Sequence, residues 1–226
     1  MALSILHRDD LQLGGFAGLK EHRLVMSPKL FGKYVNPGTF PGIGNFVYLA
    51  DARFNPKGDT RMHDHLEVDV VSVIIEGRIA HEGSLEHGQE LVAYDVQVQR
   101  AGAEGFSHNE VNPDDRKNRM IQIWILPEKA GECADYKLYK LKKGEVTRVY
   151  GGVKEQASTF ASNTTVEVAL LNPEQQLTFE KNSVIYITQG RGVVNDNVNV
   201  TDGDLITGNP YNCRAETDVH LILIQH

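Results

Sequence analysis

Gly58-Asp59-Thr60-Arg61-Met62-His63-Asp64-His65-Leu66-Glu67-Val68-Asp69-Val70-Val71-Ser72-Val73-Ile74-Ile75-Glu76-Gly77 is the stretch from which the rest of the chain can be read. Two histidines one residue apart lead into a β-branched run. Residues i and i+2 of a strand point to the same face, so His63 and His65 present both imidazoles to one side of a sheet. About forty residues on, His108-Asn109-Glu110 repeats that spacing with a histidine and a carboxylate. Together the two pairs can offer three nitrogens and one oxygen to one metal ion. Asp69 shares the parity of His63 and His65, so a regular strand turns it inward too. There it can hydrogen-bond a ligand imidazole or act as base toward a bound hydroxyl, and Glu67 can exchange roles with it across a bulge.

Working outward, the 226 residues suffice for one large β domain or two smaller ones. The net charge of −7 argues against attraction to phosphate backbones, so no direct nucleic-acid partner is expected. Lys140 to Lys143 reads as a solvated face. Cys133 and Cys213 are far apart and in neither a metal-knuckle nor a redox spacing, which fits a reducing compartment. The N-terminus lacks the basic lead and apolar core of a secretory signal, and no apolar run reaches the ~20 residues needed to span a bilayer. The expectation is a cytoplasmic protein without a membrane partner, in which the sequons at Asn163 and Asn199 are chance matches.

The first forty residues, rich in glycine and proline, read as irregular strands and loops. From Phe46 onward short β-prone runs are closed by turn residues, and no helix of convincing length is visible. Many short strands at close spacing indicate a sandwich or barrel. The run Ile121 to Leu126 stops at Pro127, and a second series of strands follows. That series echoes the first. Val73-Ile74-Ile75-Glu76-Gly77-Arg78 matches Ile185-Tyr186-Ile187-Thr188-Gln189-Gly190-Arg191, with Gly77 and Gly190 offset by 190 − 77 = 113, and Asp95 corresponds to Asp204. The chain is thus read as two copies of one β-barrel module, residues 1–130 and a shorter 131–226. The same offset carries His63 and His65 to Gln176 and Thr178, so the second copy is expected to lack metal ligands and to serve as support.

Imidazole suits divalent iron, copper, nickel and zinc, while a carboxylate moves the preference toward iron(II) or manganese(II). Three histidines and a glutamate leave positions open on an octahedral ion, and a closed zinc site would favour thiolates. The expected cofactor is one divalent metal ion, iron(II) first, with manganese, nickel, copper and zinc as alternatives. Elsewhere, His81 and His87 sit beside turns and read as solvated. His7, His22, His220 and His226 have no partner by spacing, and Trp124 reads as core.

His63-x-His65, the acid at Asp69, Glu76-Gly77, the turn at Ser84, Asp95-Val96-Gln97 and His108-x-Glu110 resemble the pirin family of the cupin superfamily. Gln122 to Pro127, Tyr136, Gly151-Gly152 and the segments Gly14-Gly15-Phe16 to Phe31-Gly32 extend the likeness over nearly the whole chain. The resemblance implies an all-β bicupin with two jelly-roll-like barrels. It implies one iron in the N-terminal barrel, held at the positions of His63, His65, His108 and Glu110. Four positions depart from the pattern: Asp64 stands where proline is usual, Glu67-Val68 replaces a glycine-aromatic pair, and Asp69 stands for glutamate. Some family members have quercetinase-type dioxygenase activity, and others act by binding transcriptional or metabolic partners. Two functions are therefore expected from the resemblance. One is an iron-dependent dioxygenase acting on a flavonol-like, enolisable small-molecule substrate. The other is a non-catalytic binding protein whose metal or redox state governs contact with a protein partner.

Overall fold

A computed structural model describes residues 3–85, 88–153, 157–179, 182–208 and 210–226. Almost all regular structure in them is antiparallel β, as the short-run pattern predicts. The helical pieces are the four-residue Pro28–Phe31 and two 3-10 turns, Arg8–Asp10 and Gly32–Tyr34, and none is long or apolar enough to cross a membrane. Leu19–Met26, inside the segment read as irregular, is a regular strand. It pairs with Phe46–Phe54, and a bulge between Arg23 and Val25 hides its alternation in the sequence.

The chain forms two compact units, Leu11–Lys140 and Met1–Asp10 joined with Leu141–His226. Strand pairing explains why these bounds differ from a division at 130/131. Asp135–Lys140 pairs with Asp95–Arg100 and so closes the first unit, whereas Ser4–His7 pairs with Asp204–Thr207 in the second.

The first unit has a seven-stranded sheet in the order 135–140, 95–100, 69–76, 119–125, 46–54, 19–26, 13–16, and a four-stranded sheet in the order 63–65, 106–111, 78–83, 89–92. The second repeats this order with one strand fewer, lacking a counterpart to 13–16: 4–7, 204–207, 183–189, 219–225, 162–171, 146–152 in one sheet and 176–178, 212–215, 191–194, 198–201 in the other. The architecture is an all-β bicupin, and the internal echo is a duplicated topology. Gly77 and Gly190 both adopt left-handed φ, 74° and 83°, at equivalent turns. Asp95 and Asp204 each accept from a backbone N–H three residues back, Val92 at 3.1 Å and Thr201 at 2.7 Å.

Alternation sorts the interior of the first barrel into two levels. At one level Leu19, Phe54, Ile74, Ile79, Leu91 and Met120 form an apolar cluster. At the other, the same strand faces carry Ser72, Gln97, Gln99, His108, Glu110 and Gln122, joined by hydrogen bonds. The second barrel is apolar where the first is polar. Ile185, Ile187, Val194, Cys213 and Leu221 pack together there, with Leu177 against them. Gln176 and Thr178 are exposed on either side of Leu177, so the 113-residue offset finds the equivalent strand but not the inward parity.

Candidate metal centre

His63–His65 is a three-residue strand set between two left-handed residues, Arg61 at φ 60° and Glu67 at φ 52°. It pairs antiparallel with Phe106–Val111, placing His63 opposite His108 and His65 opposite Phe106. Alternation then brings His63, His65, His108 and Glu110 to one face. Gly83, paired with His108 from the other side, admits this close approach: a Cβ there would lie 2.3 Å from the Ser107 carbonyl oxygen.

Three imidazoles converge. The Nε2 atoms of His63 and His108 are 3.0 Å apart, and those of His65 and His108 are 3.1 Å apart. His63, His65 and His108 each offer a nitrogen within 4.8 Å of the others, and they form the one such group among the described residues. The outer nitrogens of His63 and His108 fix their tautomers. His63 Nδ1 lies 2.9 Å from the Arg61 carbonyl oxygen, and His108 Nδ1 lies 3.1 Å from Gln99 Oε1. An oxygen without hydrogen demands an N–H from each ring, so the facing Nε2 atoms of His63 and His108 are bare lone pairs.

Burial keeps the His65 and His108 rings neutral. It lowers His65 to about 4, with His63 adding to the fall and Asp64 opposing it. It lowers His108 to about 2, with His65, His63 and His81 contributing. Neutral imidazole is the ligating form, and bare lone pairs 3 Å apart repel unless a cation lies between them, so this donor set fits a metal ion. No sulfur belongs to the group, so it offers no thiolate zinc site.

Glu110, two residues beyond His108 on the same face, is fully buried. Its carboxylate accepts from Ser72 Oγ at 3.2 Å, Gln97 Nε2 at 3.4 Å and Gln122 Nε2 at 3.2 Å. Burial pushes it up to about 7 against the lowering effect of those bonds. The structure therefore gathers the three histidines tightly and sets Glu110 outside their group, in a nest of neutral donors.

Asp69 is placed otherwise than its spacing from His65 suggests. The strand 63–65 belongs to the four-stranded sheet, and Asp69 begins a strand of the seven-stranded one. In that strand Ser72 reaches Glu110, so the even positions face the barrel interior and Asp69 lies on the opposite face. It stands against Arg100, Oδ2 to Nε 3.7 Å, and Arg100 also meets Glu132 at 2.7 Å. The left-handed turn at Glu67 breaks the parity on which an inward Asp69 depended. Glu67 itself accepts from the Gly131 N–H.

Other positions also differ from expectation. His81, read as solvated, is fully buried, and Gln99 Nε2 donates to its Nε2 at 3.2 Å. His87 lies outside the described residues. His7 meets Asp204 at 2.7 Å, a register pair equivalent to Lys140 with Asp95, and the pairing came from a strand 197 residues away. Trp124, read as core, is half-buried beside the cluster, 5.4 Å from the His65 ring and 4.4 Å from Tyr48, with Phe31 stacked at 6.3 Å. Its Nε1–H donates to Gln122 Oε1 at 3.3 Å. The polar supports Ser72, Gln97, Gln99 and Gln122 were missed, although their signal was present: each interrupts a β-branched run at the parity of the interior.

Residues 17–125 match the family model described as Pirin. A Zymomonas mobilis protein named "Putative quercetin 2,3-dioxygenase" is 28% identical over 183 residues, 77% of each chain. A pirin-like protein of Caulobacter vibrioides is 27% identical over 184 residues, 76% of this chain and 78% of that one. Among solved structures, the bacterial pirin YhhW of Escherichia coli in complex with nickel(II) superposes with a TM-score of 0.84, at 18% identity over 99% of this chain and 98% of that one.

Proposed function

We propose that the chain, whose residues 17–125 match the Pirin model, is a pirin-family metal-dependent dioxygenase of quercetinase type, acting on an enolisable, flavonol-like small molecule. The observation that carries this reading is the convergence of three imidazole nitrogens, with the lone pairs of His63 and His108 turned inward. His63, His65 and His108 would hold the ion, iron(II) by preference. Glu110, from the same strand face, would give the fourth donor. When bound, such an ion supplies a Lewis acid for a deprotonated hydroxyl and an electron donor toward dioxygen.

The chain's own residues prepare the surroundings. Ser72, Gln97 and Gln122 hold the Glu110 carboxylate without neutralising it. Trp124 and Phe106 flank His65, at 5.4 and 5.0 Å between ring centroids, and exclude water on that side. Phe16 stands edge-on to His63 at 6.5 Å, and Met62 and Leu66 are exposed next to the two histidines in sequence. Apolar and aromatic surfaces beside a polar cluster suit a planar ring bearing one ionisable oxygen.

The test is anaerobic. Iron(II)-loaded protein should bind quercetin with a shift of its absorption band and consume oxygen on aeration. Protein that neither binds quercetin nor consumes oxygen with any of a broad panel of enols contradicts the proposal.

A further inference from the structure

Gln99 lies between two buried histidines. Its Oε1 accepts from His108 Nδ1 at 3.1 Å and its Nε2 donates to His81 Nε2 at 3.2 Å. All three side chains are fully buried. A primary amide has one accepting end and one donating end, and the two partners fix which is which. With His81 Nε2 taking an amide hydrogen, the carbonyl end must face His108. His108 must then carry its proton on Nδ1, and its Nε2 lone pair faces His63 and His65.

We propose that Gln99, locked by His81, is a positioning residue that sets the His108 tautomer and so prepares the trio to take a metal ion. This rests on the metal reading above but makes a separate claim about the metal-free chain. A histidine ligand is commonly oriented by a carboxylate, backbone carbonyl or water on its other nitrogen. Here the acceptor is a neutral amide whose own direction is set by a second histidine. His81 thereby acts on the cluster through two hydrogen bonds.

The experiment uses the whole chain, 15N-labelled, in two measurements. Long-range proton–nitrogen spectra of the metal-free protein identify the protonated nitrogen of His108, and nickel(II) alone, titrated in competition with a chelating dye, gives affinity. Wild type should show His108 protonated on Nδ1. Gln99→Leu should shift it toward the Nε2–H form and weaken nickel(II) binding about 10- to 100-fold, the range typical of lost outer hydrogen bonds to metal ligands. Gln99→Glu keeps the acceptor and should restore both the tautomer and most of the affinity. His81→Phe frees the amide to turn and should give a mixture of tautomers. The proposal is overturned if Gln99→Leu leaves the tautomer unchanged, or if Gln99→Glu folds yet restores neither measurement. A wild type with the Nδ1–H tautomer but no affinity for nickel(II) supports the orienting role and counts against the metal reading alone.

Discussion

His63 Nε2 and His108 Nε2 lie 3.0 Å apart, and each ring spends its one proton on the opposite nitrogen, toward the Arg61 carbonyl and Gln99. Two acceptors facing each other at hydrogen-bond distance are stable only with a shared cation.

Glu110 gives the metal-free protein a distinctive pH dependence. In the folded chain it keeps its proton up to about 7, against an ordinary value of 4.5. Between those values the unfolded chain binds fewer protons, so this group lowers stability as pH rises, and the loss is complete above about 7. His65, lowered to about 4, and His108, lowered to about 2, act in the other sense: their contribution is full above 6.5 and is lost as pH falls. Glu110→Gln should therefore gain on wild type by roughly 3 kcal/mol in going from acid to pH 8, with only about a quarter of that gain present at pH 5. Urea unfolding of both proteins across this range checks it. A constant difference between them would show that the buried carboxyl does not titrate as described.

The chain's one tryptophan reports on the site. The Trp124 ring lies 5.4 Å from that of His65, so a paramagnetic ion on the trio should quench most of its emission. Nickel(II) titration should give saturable quenching in wild type and none in His65→Ala. Undiminished emission at full nickel(II) occupancy would place the ion elsewhere.

Arg119 and Asp51 form a buried ion pair, with Nε to Oδ1 at 3.0 Å, and Arg53 adds a second contact to Asp51 at 3.0 Å. Arg119→Ala leaves the buried Asp51 carboxylate with the partly exposed Arg53 as its remaining ion-pair partner and should cost about 3 kcal/mol, the low end for breaking a buried pair. Replacing both partners, Arg119→Met with Asp51→Leu, should recover most of that loss. Urea unfolding followed by Trp124 fluorescence reads the unit that contains the pair. A double variant no more stable than the single one would assign the loss to packing.

The duplicated fold and the trio were legible because both depend on local spacing. His63-x-His65 and His108-x-Glu110 are each set by strand alternation, and Gly77 and Gly190 by a turn that needs left-handed φ. What escaped depends on where alternation breaks. One left-handed residue, Glu67, turned Asp69 to the other face of the sheet. The bulge after Arg23 concealed the strand Leu19–Met26. His81 and Gln99 meet His108 only because the strand 95–100 of one sheet faces the paired strands 78–83 and 106–111 of the other, and no spacing within one strand announces that. The same holds for His7, whose partner Asp204 comes from the far end of the chain.

The central claim is that His63, His65 and His108 hold one metal ion with Glu110 as fourth donor. Elemental analysis of protein reconstituted with iron(II) under anaerobic conditions and then desalted tests it most directly, on wild type, His63→Ala, His108→Ala and Glu110→Ala. The account predicts one ion per wild-type chain, almost none in either histidine variant, and a marked loss in Glu110→Ala. Full metal content in any of the three folded variants would contradict it.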